Sequence, residues 1–170
     1  MKTEKATLSI GPIIENTLLI NETLSALLWE LMHVDHRRTL LVYGELRSRG
    51  FVFEFIGDTL PEQYEWPSRV THEILEEIQS DVIDHLQTHH VPPYCYLGTH
   101  EDDGASLGVW PDLQSIQNAI DDGELVSFDD NGQALPEGYT GDAVYTNDHG
   151  NMTCGHVVNG EFVKTYWDCV

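Results

Sequence analysis

Positive charge is what this chain has least of. Its 170 residues hold 8 Lys and Arg against 29 Asp and Glu, a formal net charge of −21. From residue 70 to residue 163 there is no Lys or Arg, while the same stretch carries 18 Asp and Glu. Direct nucleic-acid binding needs several cations to neutralise phosphates. After Arg69 only Lys164 is available, so that function is excluded. An anionic membrane surface is repelled for the same reason. Long apolar runs are also missing. No 18 consecutive apolar residues occur, so no transmembrane helix is expected. Met1-Lys2-Thr3-Glu4-Lys5 is not followed by the apolar segment and cleavage site of a secretory signal, which makes the cytoplasm the expected compartment. Cys95, Cys154 and Cys169 cannot all pair, which fits free thiols in a reducing compartment. Also absent are the GxSxG elbow, the Walker loop, the Rossmann glycine fingerprint, HExxH and paired CxxC motifs. No enzyme, cofactor or metal site is expected on those grounds.

What is present suggests an α+β protein, one domain over 1–170, with a mainly helical half over 1–90 and a mainly β half over 91–170. Gly11-Pro12 interrupts a short strand or irregular lead-in over 6–20. Asn21 reads as the N-cap of a helix over 22–33, with Leu24, Leu27, Leu28 and Leu31 at helical spacing. Asp35 caps a second helix over 36–48, and Gly50 stops it. Arg37, Arg38, Arg47 and Arg49 belong to that segment and are expected to form internal salt bridges. An aromatic, β-branched run over 51–56 reads as a strand, followed by a loop at Gly57-Asp58 and Leu60-Pro61. Trp66-Pro67-Ser68 opens the longest helix, over 68–88. Val70, Ile74, Ile78, Val82 and Leu86 form its core stripe, and Glu73, Glu76, Glu77, Asp81 and Asp84 project on the other side.

Strands are expected over 94–97, 106–110 and 124–128, with a helix over 113–120. Three further strands over 142–146, 152–158 and 161–167 form an antiparallel meander. Asn159-Gly160, the strongest two-residue hairpin signal, joins the last two. All six strands are expected in one antiparallel sheet that the long helix covers.

Nine histidines raise the question of metal. His85 and His89 stand at i, i+4, His33 and His36 at i, i+3, and Cys154 and His156 share one face of a strand near Cys169. Each group falls short of a four-ligand structural zinc site. Asp102-Asp103 and Asp129-Asp130-Asn131-Gly132 are oxygen-rich but lack the alternating ligands of a calcium loop, and read as turns. Cys154 with His149 or His156 could be written as nucleophile and base, although a strand cysteine is more often packing. Asp148-His149 lies in Asn147-Asp148-His149-Gly150-Asn151, the composition of a tight turn.

Two segments, LGTHEDDGASLGVWPD (97–112) and YTGDAVYTNDHGNMT (139–153), resemble small acidic proteins carried by bacteriophages and other mobile elements, mostly without assigned function. The resemblance covers about the last 80 residues. It implies a mobile-element origin and therefore a function directed at the host; it assigns no functional residue.

Two readings of different class follow. In the first, the chain is a nucleic-acid-mimicking inhibitor, of anti-restriction or anti-CRISPR type, that occupies the basic surface of a host nucleic-acid-binding protein. Duplex DNA carries about one negative charge per 1.7 Å of axis. Carboxylates about 6 Å apart along a helix approximate such a row. The partner-binding residues expected are Glu73, Glu76, Glu77, Asp81 and Asp84, then Glu101, Asp102 and Asp103, then Asp121, Asp122, Asp129 and Asp130. In the second, a non-enzymatic adaptor binds a protein through exposed aromatics such as Trp110, Tyr139 or Trp167, and the acidity serves only solubility or halophily.

Overall fold

The computed structural model describes residues 6–17, 19–50 and 72–169. The strand expected over 51–56, the loop after it, the Trp66-Pro67-Ser68 helix opening and Val70 lie outside the described residues. The elements run β1 (Gly11–Ile14), α1 (Ile20–Val34), α2 (His36–Ser48), α3 (His72–His89), β2 (Cys95–Thr99), β3 (Leu107–Pro111), α4 (Leu113–Asp121), β4 (Leu125–Asp129), β5 (Gly141–Thr146), β6 (Met152–Val158) and β7 (Glu161–Cys169). The class is α+β.

The described strands form two sheets where one was expected. One has the order β1-β3-β2 and the other β4-β5-β6-β7. A second correction concerns β4, which pairs with β5 in parallel, Leu125 opposite Asp142 through Asp129 opposite Thr146. The antiparallel meander is confined to β5, β6 and β7. Alternating hydrophobicity marks a strand but does not name its partner, which explains both differences.

The chain divides into two compact units. The first comprises Met1–Leu8, Pro12–Val91 and Leu97–Gly108; the second comprises Ser9–Gly11, Pro92–Tyr96 and Val109–Val170. In the first, α1 packs against α2 and α3. Leu24, Leu27, Leu28 and Leu31 of α1 are buried together with Leu46 of α2 and Ile78, Val82 and Leu86 of α3. Each such side chain, taken fully out of water, contributes about 2 kcal/mol. The α1 cap differs from the expectation. Leu19 is the N-cap without a side-chain bond, and Asn21 lies inside the helix. Thr17 Oγ1 accepts the Leu19 N–H instead, and the apolar Ile20 extends the helix toward the N-terminus. Asp35 caps α2 as expected, its Oδ1 accepting the Arg38 N–H at 2.9 Å. Gly50, with φ +98°, follows the last turn.

In the second unit, α4 lies against β4. Asp112 caps α4 by accepting from the Ser115 N–H at 3.0 Å and the Ser115 hydroxyl at 2.7 Å. The hairpin at Asn159 and Gly160 has positive φ at both residues, 53° and 86°, as a type I′ turn requires. Irregular register between β6 and β7 brings the Lys164 carbonyl oxygen so close to Gly155 that a Cβ there would sit 2.2 Å from it. Gly155 is therefore required by close backbone approach.

Candidate functional site

The solvent face of α3 is the first candidate. Leu75, Ile78, Val82 and Leu86 are buried, and Ile74 is half-buried. Glu73, Glu76, Glu77, Asp81 and Asp84 are all exposed. Glu73, Glu77 and Asp81 follow one another at i, i+4, about 6 Å apart in rise. Like charges at that spacing repel. Among the described residues one Lys or Arg relieves the row. Arg49, at the end of α2, donates from Nη1 to Glu77 at 2.9 Å and from Nη2 to Glu45 at 2.6 Å. The guanidinium holds the Glu77 carboxyl below the usual carboxylate range, and the same bonds raise Arg49. Among the described residues, Arg49 alone of the four arginines forms the expected salt bridge, and Arg38 Nε is buried without a hydrogen-bond partner. Glu76 lies 3.2 Å from His72 Nε2.

The loop acids divide by task. Glu101, Asp102 and Asp103, in the first unit, are exposed. Asp103 accepts from the Ala105 N–H and the Ser106 hydroxyl, which lower its pKa, the hydroxyl more strongly. In the second unit, Asp121 accepts from Gln117 Nε2 at 2.8 Å, and Asp122 is the exposed C-cap of α4. Asp129 is half-buried, and its Oδ1 closes the turn by accepting from the N–H groups of Asn131 and Gln133. Interaction with the Asp130 carboxylate raises the Tyr145 phenol. The side chains of Glu73, Asp81, Asp84, Glu101, Asp102 and Asp122 make no hydrogen bond or ion pair among the described residues.

The aromatics named for adaptor binding are not exposed. Trp167 is 4% exposed, its Nε1–H donating to the Pro93 carbonyl at 2.8 Å. Trp110 and Tyr139 are half-buried, and the Tyr139 hydroxyl donates to the Asp142 carbonyl. The large apolar residues that are exposed include Trp29, Leu40 and Leu41, on α1 and α2.

The thiols are placed for packing. Cys95 and Cys154 are buried, and burial pushes each up to about 12. A thiol held protonated in this way is a poor nucleophile at neutral pH. His156 bonds elsewhere, through Nδ1 to Asp142 Oδ1 at 2.7 Å, and the same oxygen accepts from the Tyr166 hydroxyl at 2.9 Å. Asp148 and His149 lie in a turn closed by Asn147 Oδ1, which accepts from the N–H groups of His149 and Asn151.

The histidine pairs resolve differently from their sequence spacing. His33 and His36 are exposed, and His33 Nδ1 bonds the Trp29 carbonyl. His89 is exposed, its ring centroid 4.8 Å from that of His85. The group that converges is Asp35, His85 and His90, whose ligand-capable atoms all lie within 4.8 Å of one another. Its members come from the α1–α2 joint, the turn before the last of α3 and the residue just past that helix. Only the i, i+4 spacing was visible in sequence, and it favoured His89 over His90. No helix among the described residues is long and apolar enough to cross a membrane. Comparison with protein-family models, curated proteins and solved structures finds no match to the chain.

Proposed function

We propose that the protein is an acidic mobile-element inhibitor that acts in the cytoplasm by occupying the nucleic-acid site of a host DNA- or RNA-handling defence protein. The observation that carries this reading is the one-sided charge of α3. Its apolar stripe is buried, while five carboxylates face solvent along one rigid helix, in a stretch without lysine or arginine. A protein that binds DNA keeps a positive groove, and a rigid row of anions can enter it. Glu73, Asp81 and Asp84 are the strongest candidates, because no partner within the protein engages them among the described residues. Glu101, Asp102 and Asp122 follow. Glu77, Asp103, Asp121 and Asp129 already serve internal bonds and contribute less. Of the aromatics named for the adaptor reading, Trp167 is buried and Trp110 and Tyr139 are half-buried; Trp29, on α1, is exposed.

The test is capture of partners from nuclease-treated bacterial lysate at about 0.1 M salt, where charges still act over about 10 Å. Mimicry predicts enrichment of a nucleic-acid-handling protein that added duplex releases. A partner indifferent to duplex and retained at high salt would overturn it.

A further inference from the structure

We propose that Asp35, His85 and His90 form a binding site for a divalent d-block cation of the zinc class. Two histidine nitrogens and one carboxylate oxygen are a donor set suited to such an ion, with a fourth position left for water. Asp35 Oδ2 lies 3.1 Å from His85 Nε2 and 3.8 Å from His90 Nε2. Tetrahedral zinc bonds of 2.0–2.2 Å separate ligand atoms by about 3.3–3.5 Å. Shifts of a few tenths of an ångström bring Asp35 to ligand spacing from each histidine, and because the ligand atoms spread to 4.8 Å the two histidine rings must also close toward each other on binding.

The independent sign of a ligand is His90. Its side chain is 3% exposed, and its Nδ1 lies 2.8 Å from the Ala6 carbonyl oxygen. A carbonyl only accepts, so Nδ1 carries the hydrogen, and in that neutral tautomer Nε2 would present a lone pair. Among the described residues that Nε2 is buried without a hydrogen-bond partner, and it faces a carboxylate oxygen. A buried, unpartnered ring nitrogen opposite a half-buried carboxylate oxygen is a place where a cation would be held between them. At 3.8 Å they are too far apart to share a hydrogen bond. A metal-binding histidine commonly donates its other N–H to a backbone carbonyl, which fixes the ring and its tautomer. The Ala6 contact has that form.

The other two residues are similarly prepared. Asp35 uses Oδ1 for the Arg38 N–H, which holds the carboxyl below its usual range, and leaves Oδ2 for the ion. Burial lowers His85, more than its bond to Asp35 raises it, which favours the ring form able to ligate. Without an ion, His85 Nε2–H donates to Asp35 Oδ2. On binding, the ion takes that place, and in the neutral ring the hydrogen moves to Nδ1. The ion then ties the joint between α1 and α2 to the C-terminal end of α3.

The test is calorimetric titration of Zn2+ into chelator-treated full-length protein, with thermal melting followed in parallel. One equivalent should bind, and the melting temperature should rise with free Zn2+. His90→Ala should weaken binding at least tenfold. Asp35→Asn keeps an oxygen for the Arg38 N–H while removing the anionic ligand, and should also weaken binding at least tenfold. It decides the matter if His90→Ala does not fold. His89→Ala should leave affinity unchanged. No binding by the native protein, undiminished binding by Asp35→Asn, or loss of binding in His89→Ala would each overturn the proposal. The last would place the ion on the exposed His85–His89 pair.

Discussion

Raising the pH should unfold this protein in a way that two buried thiols dominate. Cys95 and Cys154 are each pushed by burial from 9.0 up to about 12. In the unfolded chain both ionise near the ordinary thiol value. A group that stays protonated in the fold but ionises in the unfolded chain loses its proton on unfolding. Stability is therefore constant below about pH 9 and falls as the pH rises from there toward 12. At pH 11 the gap is about two pH units per thiol, or about 3 kcal/mol each at 1.36 kcal/mol per unit. Together that is about 5–6 kcal/mol, comparable to the whole stability of a small domain. Tyr166, raised to about 12 by burial and its bond to Asp142, adds a smaller loss above pH 10. The assay is the urea midpoint at pH 7, 9 and 11, read by tryptophan fluorescence under reducing conditions, for the native chain and Cys95→Ala/Cys154→Ala. The double variant should start lower at pH 7, from lost packing, and decline less steeply above pH 9. Equal slopes for the two proteins would refute the assignment of deep thiol burial.

Further outcomes follow from other contacts. Gly155→Ala should destabilise by about 1–3 kcal/mol, because the new Cβ meets the Lys164 carbonyl and backbone must shift; a melting temperature equal to that of the native chain would count against the close β6–β7 approach. Asp112→Ala should cost about 0.5–2 kcal/mol as the α4 cap is lost. The native Asp112 carboxyl is lowered chiefly by the Ser115 N–H, so its contribution is present above pH 4 and fades as the pH falls through its folded value. Denaturant midpoints at pH 7 and pH 3 check both statements. Charge reversal at Glu73, Glu76, Asp81 and Asp84, with Glu77 left to Arg49, should keep the circular dichroism spectrum and abolish duplex-sensitive partner capture. Retained capture by this folded variant would remove α3 from the interface.

Local signals were legible in sequence where a local interaction decides the structure. Asn159-Gly160 marked its hairpin because positive φ at both positions limits the residue choice. The four-residue rhythm of Ile78, Val82 and Leu86 put the α3 acids on the solvent side, and Asp35 announced a cap because its oxygen reaches a neighbouring N–H. The misses are long-range. Neither the parallel pairing of β4 with β5 nor the separation into two sheets has a signature within a strand. The Arg49–Glu77 bond spans 28 residues in sequence. The convergence of Asp35 with His85 and His90 depends on how α3 packs in the helical unit, and His90 lies one residue past α3, outside the i, i+4 frame.

The central claim is that this protein and a nucleic acid compete for one basic surface. The direct measurement is displacement of a labelled duplex from the captured partner, followed by fluorescence anisotropy as the protein is added, at several salt concentrations. Mimicry predicts complete displacement, with an apparent affinity that falls steeply as salt rises. A ternary complex, with the duplex still bound at saturating protein, would contradict it.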